Sequence, residues 1–141
     1  MTPEDLAALH ARSFTTPRPW STAEFAGFLA SPLCFLRTLP QGFVLGRTIA
    51  DEAELLTIAV DPDARRNGSG RALLHAFEAE ARARGATTAF LEVAIDNNAA
   101  RGLYASGGWA ESGLRKAYYH APDGTRIDAV VMSRSLQAQI L

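Results

Sequence analysis

The spacing of apolar positions changes several times along the chain, and each change marks an element. From Pro3 to Phe14, Leu6, Leu9 and Ser13 recur at helical spacing with Glu4 and Asp5 in the first turn, which predicts a helix. Thr15 to Pro19 reads as a proline-broken loop. Ser21, with Glu24 three residues on, has the pattern of a capping box, so a second helix starts there and ends at Pro32. Leu33 to Leu39, Phe43 to Ala50 and Glu54 to Val60 read as strands, the first two joined by a turn at Pro40-Gln41-Gly42. Asp61-Pro62-Asp63 stops the third. Leu73, Leu74, Phe77 and Ala81 then form one apolar stripe on a helix from about Gly70 to Arg84, with Gly85 as its stop. Thr88 to Ala94 is another strand, and Asn97 or Asn98 caps a short helix to about Ser106. The last two strands, Trp109 to Tyr119 and Arg126 to Ser133, flank Pro122-Asp123-Gly124, which suits a type I turn.

The order α-α-β-β-β-α-β-α-β-β contains one strand–loop–helix–strand unit, which predicts a parallel pair. The outer strands read as antiparallel hairpins. The expected fold class is α/β, a central mixed sheet flanked by helices, in one domain spanning residues 1–141.

Composition narrows the function. Hydrophobic residues make up 48% and charged residues 21%, as in soluble globular proteins. No apolar run approaches the roughly 20 residues of a membrane span, and Met1 to His10 lacks a basic-then-apolar signal, so a cytoplasmic protein is expected. A net charge of -1 provides no general basic field for nucleic acid. The single cysteine, Cys34, excludes an internal disulfide and reads as a small core residue. His10, His75 and His120 are scattered and give no metal-ligand spacing, so no metal is expected.

The chemistry concentrates between Thr57 and Tyr104. Arg65-Arg66-Asn67-Gly68-Ser69-Gly70-Arg71-Ala72 lies between a strand and a helix. Glycines let backbone approach a ligand, and a helix start presents unpaired N–H groups and partial positive charge, a combination that binds phosphate. Arg66 and Arg71 add charge. A nucleoside-triphosphate loop would need Lys-Ser/Thr after the glycines, and a dinucleotide fingerprint a third glycine where Leu73 stands. An ordinary strand-to-helix turn is the other reading of these residues. Glu92 shares a strand face with Phe90 and Ala94, where partial desolvation would raise its pKa and make it a better base; a solvated glutamate on an exposed face is the alternative. Tyr104, with Ala100 and Leu103 on a neighbouring helix face, reads by itself as a packing aromatic. Asn97 reads as a helix cap that also reaches a ligand.

Arg65-x-x-Gly68-x-Gly70, preceded by Ile58-Ala59-Val60-Asp61-Pro62, resembles the pyrophosphate loop of the GNAT acetyltransferases. Pro19-Trp20-Ser21, Leu91-Glu92-Val93, Asn97-x-x-Ala100-x-x-Leu103-Tyr104, Tyr118-Tyr119 and Asp123-Gly124 with Asp128-Ala129 extend the resemblance over nearly the whole chain. They point to the ribosomal-protein alanine N-acetyltransferases, the RimI type. The resemblance implies acetyl-coenzyme A as co-substrate. Backbone at Ile58, Ala59 and Val60 would pair with the pantetheine arm, and Arg66, Asn67, Gly68, Ser69, Gly70 and Arg71 would hold the pyrophosphate. Asn97 would contact the cofactor, with Glu92 as general base and Tyr104 as general acid. Trp20, Tyr118 and Tyr119 would bind the acceptor, a peptide N-terminus, on a monomer or weak dimer with no nucleic-acid or membrane partner. Transfer would be direct, with the thioester oxygen polarised by backbone N–H groups near Ile58.

The chain departs from that family at several points. It starts at the first helix where the family usually has a strand, and Ala117 and Ser69 replace a more polar and an aliphatic residue. Asp96-Asn97-Asn98 is more polar than usual. Two other functions stay open on sequence alone: a GNAT enzyme acting on a small amine, and an acetyl-coenzyme A-binding module without turnover.

Overall fold

The computed structural model describes residues 1–14, 18–65 and 67–137. The expected loop residues Thr15, Thr16 and Pro17, and the candidate pyrophosphate ligand Arg66, lie outside the described residues. The elements follow the predicted order: α1 Pro3–Ser13, α2 Thr22–Ala30, β1 Cys34–Leu39, β2 Gly42–Ile49, β3 Glu52–Val60, α3 Ser69–Ala83, β4 Thr88–Ala94, α4 Asn98–Ser106, β5 Ala110–His120 and β6 Arg126–Ser135. A 3-10 turn at Pro62–Ala64, not expected from the sequence, follows β3, with Asp61 capping it through the Asp63 N–H. Among the described residues no strand precedes α1.

Local chemistry sets the helix starts. Thr2 caps α1 and Ser21 caps α2. In each case the side chain accepts the third-position N–H, and the acid there, Asp5 or Glu24, accepts the cap N–H in return. Pro122 and Gly124 occupy the second and fourth positions of the β5–β6 turn, closed by Gly124 N–H to the Ala121 carbonyl at 2.9 Å.

The six strands order as β1-β2-β3-β4-β6-β5. β6 therefore inserts between β4 and β5, pairing antiparallel with both. The predicted parallel pair, β3 and β4, holds register only at Glu52↔Thr88, Ala53↔Ala89 and Glu54↔Phe90. Beyond it β3 runs to Val60 against β2, and β4 runs to Ala94 against β6, so the two strands part.

A bulge marks the parting point. Leu45 pairs with Thr57 and Gly46 with Leu55, leaving Leu56 as an extra residue in β3. Leu55 packs with the α3-side core, Leu56 with the α1/α2-side core, and Ile58 with the α3 side again. Gly46 sits opposite this bulge for a packing reason: a Cβ there would lie 2.5 Å from Phe35 and 2.7 Å from Phe77.

Two cores result, one on each face of the sheet. Leu73, Leu74, Phe77, Leu91 and Val44 pack under α3, and Leu6, Phe25, Phe43 and Leu45 pack under α1 and α2. Fully burying a side chain such as Phe43 or Phe77 stabilises by about 2–3 kcal/mol. Cys34 is half-buried on edge strand β1. Beneath α3, buried Glu78 accepts from Trp109 Nε1 at 3.0 Å and from Arg134 Nη1 at 2.9 Å, while the same Arg134 nitrogen donates to Gly107 O at 2.7 Å. This charged cluster ties α3 to the α4–β5 corner and to β6.

In the α1-side core His10 is 1% exposed. Its Nδ1 accepts the Trp20 N–H at 2.9 Å, and its Nε2 lies 2.9 Å from Thr57 Oγ1. Phe14, Trp20, Phe25 and Phe43 surround the ring. Burial pushes the imidazole pKa down to about 4, against a smaller upward pull from Glu24. The unfolded chain therefore binds a proton at this histidine between about pH 6.5 and 4 that the folded chain does not. The stability contributed by the neutral ring is present above pH 6.5 and is lost as pH falls toward 4, on the order of 2–3 kcal/mol. Melting curves recorded across that window should show a steeper fall for the wild type than for His10→Gln; parallel curves would show that His10 does not set the slope.

A second bulge shapes β5. Arg115 pairs with Ala129 and Tyr119 with Ile127, so two extra residues on β5 are accommodated between them. Ala117 takes φ 53°, in the left-handed region that costs a residue with a Cβ about 1–2 kcal/mol. Its N–H is held by Asp128 Oδ1 at 2.7 Å. Ala117→Gly should raise the stability measured by chemical denaturation by about 0.5–1 kcal/mol, and Ala117→Val should lower it by about 1–2 kcal/mol. Equal stabilities would show that the strain is relieved in solution.

Candidate active site

The parting of β3 and β4 opens a cleft of about 920 Å³ through the sheet. Leu55 to Val60 form one wall and Glu92 to Ala94 the other. Among the described residues, the β4-facing edge of β3 has no strand partner beyond Glu54. Backbone groups along that edge lack a strand ladder, although the Val60 carbonyl accepts from Ser13 Oγ at 3.4 Å and Arg65 Nε at 3.3 Å. The structure thus places Ile58, Ala59 and Val60 along the cleft.

The start of α3 closes one end. Gly68 is the N-cap at φ 85°, a conformation that suits glycine, and it brings no side chain to cap the helix. Asn67 Oδ1 instead accepts from Ser69 N at 3.1 Å and Ser69 Oγ at 2.5 Å. No acid stands in the first turn, so no carboxylate there offsets the positive end of a 15-residue helix. Gly70 is tight for a different reason: a Cβ would lie 3.2 Å from Leu103 Cδ2, where α3 and α4 meet. Arg71 lines the cleft and donates to Ser106 Oγ at 2.9 Å. Asn97 caps α4 through Ala100 N–H at 3.2 Å and also faces the cleft.

Tyr104 also lines the cleft. It is 4% exposed, its ring lies 6.1 Å from Trp109, and burial raises its phenol well above the ordinary value, with Tyr119 adding to the effect. It therefore packs and faces the cleft at once. Tyr118 is exposed and Tyr119 half-buried on the far side of the opening. The Glu92 charge raises the Tyr118 phenol; burial, then Glu92, raises that of Tyr119. Trp20 stacks near Phe28 at 4.9 Å and also reaches the cleft, so it too is core and lining together.

Glu92 departs from expectation. The sequence placed its carboxylate among apolar neighbours, but Arg115 Nε lies 2.9 Å from Glu92 Oε1. The Glu92 side chain is 17% exposed and that of Arg115 56%. Arg115 Cζ also sits 5.3 Å from the centre of the Tyr118 ring. Period-two reading missed Arg115 because the β5 bulge re-aims the strand, although Ala117 had stood out as an unusual residue there. His10 and Thr57 were missed as a pair. Their signal was a histidine at a buried position of the Leu6-Leu9-His10 stripe. Among the described residues no group of three His, Cys, Asp or Glu side chains converges as a metal site. No helix among them is long and apolar enough to cross a membrane.

The match to known proteins follows this geometry. The model of the acetyltransferase (GNAT) family matches residues 5–109. The [ribosomal protein bS18]-alanine N-acetyltransferase of Escherichia coli K12 is 39% identical over 131 residues, covering 90% of this chain and 88% of that protein. The N-alpha-acetyltransferase RimI of Mycobacterium tuberculosis is 39% identical over 137 residues, covering 91% and 83%. The crystal structure of the ribosomal-protein-S18-alanine N-acetyltransferase from Escherichia coli superposes with a TM-score of 0.85 at 34% identity, covering 97% of this chain and 89% of that one. A mixed sheet parted at its parallel pair, a helix started on glycine and these relatives agree: the chain belongs to the GNAT acetyltransferase family.

Proposed function

We propose that the protein transfers an acetyl group from acetyl-coenzyme A to the α-amine of a protein N-terminus. The N-terminal alanine of a small-subunit ribosomal protein is the acceptor its curated relatives suggest. The observation that carries this reading is convergence. A carboxylate, a buried tyrosine, a strand edge without a strand partner and a glycine-started helix all face one cleft.

The residues present suit the cofactor. The β3 edge at Ile58, Ala59 and Val60 offers amide groups to a pantetheine arm, and the Asn67-Gly68-Ser69-Gly70-Arg71 start of α3 offers N–H groups and positive charge to a pyrophosphate. Acetyl-coenzyme A supplies an activated acyl group as a thioester. Asn97 adds a side-chain amide beside it.

An α-amine has a pKa of roughly 7.7–8.0 and a lysine about 10.4, so at neutral pH far more of the former is ready to attack. The amine nitrogen bonds to the acyl carbon, the carbon–sulfur bond breaks, and the nitrogen's surplus proton passes to Glu92, directly or through water. Tyr104 donates its phenolic proton to the departing thiolate; a phenol whose pKa is raised is still protonated when that moment comes. For Glu92 to receive the amine, Arg115 has to share or release the carboxylate. Trp20, Tyr118 and Tyr119 ring the opening on the acceptor side.

The test is mass spectrometry of free-N-terminus peptides beginning Ala, Ser or Met, an N-blocked lysine peptide and a small amine. One acetyl gain confined to free N-termini, strongest for Ala, is expected. Gain on the small amine alone would move the enzyme to that substrate class, and cofactor binding without any product would make it a binding module. Glu92→Gln should lower kcat about 100-fold or more with coenzyme A affinity unchanged. Tyr104→Phe should slow turnover about tenfold and leave the melting temperature nearly unchanged; a large drop in melting temperature with turnover intact would make Tyr104 a packing residue only.

A further inference from the structure

The His10–Thr57 pair sits where the bulged strand meets α1, and the proposed chemistry does not use it. Three observations fix its hydrogen atoms. The Trp20 backbone N–H can only donate, so His10 Nδ1 at 2.9 Å must be an acceptor without a proton. In the neutral ring the proton then sits on Nε2, which donates to Thr57 Oγ1 at 2.9 Å. With a lone pair of its oxygen taken by that donor, the Thr57 hydroxyl proton points elsewhere, and no acceptor receives it among the described residues.

The backbone decides where that proton is offered. Leu56 is the extra residue of the β3 bulge, and Thr57 follows it on the α1 side of the sheet. Both His10 and Thr57 line the cleft, and Trp20 lines the same side. The N–H that orders the chain is Trp20's own. Seating of Trp20, the histidine tautomer and the direction of the Thr57 hydroxyl are therefore one linked arrangement.

We propose that Thr57 is an acceptor-binding residue whose hydroxyl donates a hydrogen bond to a backbone carbonyl of the incoming peptide, and that His10 is the positioning residue that aims it. The inference rests on the peptide reading above. The Thr57 side chain faces the acceptor side of the sheet, so its loss weakens the acceptor and leaves acetyl-coenzyme A untouched. A small amine without a carbonyl gains nothing from it.

The experiment is steady-state kinetics of the full chain with the best acceptor peptide of the panel, varying peptide and acetyl-coenzyme A in turn, well below the melting temperature. Thr57→Val should raise the peptide KM at least tenfold with the acetyl-coenzyme A KM within twofold, and Thr57→Ser, which restores a hydroxyl, should recover most of that loss. Thr57→Val strands the His10 N–H in a buried setting, so the double variant His10→Phe/Thr57→Val is measured beside it, removing both polar partners together. Its peptide KM should match that of Thr57→Val alone, because aiming a hydroxyl has no effect once the hydroxyl is gone. A peptide KM unchanged in both valine variants, or a loss that serine does not recover, overturns the inference while leaving N-terminal acetylation intact. A wild type that acetylates no free N-terminus overturns the peptide reading itself and the inference with it.

Discussion

The site exists because β3 and β4 pair for three residues and then part. Each strand is held on its outer side along its length, β3 by β2 and β4 by β6. Neither can swing across to close the gap without giving up a ladder of hydrogen bonds. The bulge at Leu56 reinforces this, since an extra residue in β3 bends the strand and increases its twist at the point of departure. Backbone polar groups on the open edge want partners, and a cleft lined by them is a binding site before any side chain is considered.

Everything else sets what the cleft can do. On the α3 side, a glycine N-cap at φ 85° keeps its own side chain out of the helix start, and no acid stands in the first turn, which suits an anion. The Glu78–Arg134–Trp109 cluster locks that helix to the α4–β5 corner, so α3 and Tyr104 keep fixed relative positions. A half-broken version of such a cluster would leave a buried charge, which is why it constrains geometry more than it adds stability. On the other side, α1 and α2 meet the sheet through aromatic packing around His10, and the β5 bulge brings Arg115 and Tyr118 to Glu92. The cleft thus runs from the start of α3 on one face of the sheet to Trp20, Tyr118 and Tyr119 on the other.

Most of the element order was legible because each element carries its own local signal. Ser21 with Glu24, the Leu73-Leu74-Phe77-Ala81 stripe, and Pro122 with Gly124 each act over a few residues. Glu92, Asn97, Tyr104 and the Gly68 loop could be singled out for the same reason, since strand, cap and loop chemistry are local. The insertion of β6 between β4 and β5 was not legible, because antiparallel pairing is equally good on either edge until the whole sheet competes. The Arg115–Glu92 contact was hidden for a related reason. It joins residues 23 positions apart across a bulge, and alternation counts along β5 lose their face there. His10 escaped because a histidine read in isolation looks like a surface residue, and its meaning comes from Thr57 and Trp20, reached only through the fold.

Glu92 and Tyr104 sit in different surroundings, and that difference matches the tasks proposed for them. A base that takes a proton from each new amine has to return it to water between turnovers, so it needs solvent contact and a mobile partner. Glu92 has the solvent contact, being 17% exposed, and its partner Arg115 has a side chain that is 56% exposed. An acid that must stay protonated until sulfur carries charge is better served by burial, which penalises the phenolate. Tyr104 is 4% exposed and its phenol is held protonated for that reason. An exposed tyrosine on β4 could not take over the first task, because a phenol with a pKa of about 10 already holds its proton at neutral pH. The asymmetry follows from the sheet, because β4 offers Glu92 to the open cleft while α4 keeps Tyr104 in the core beside Trp109.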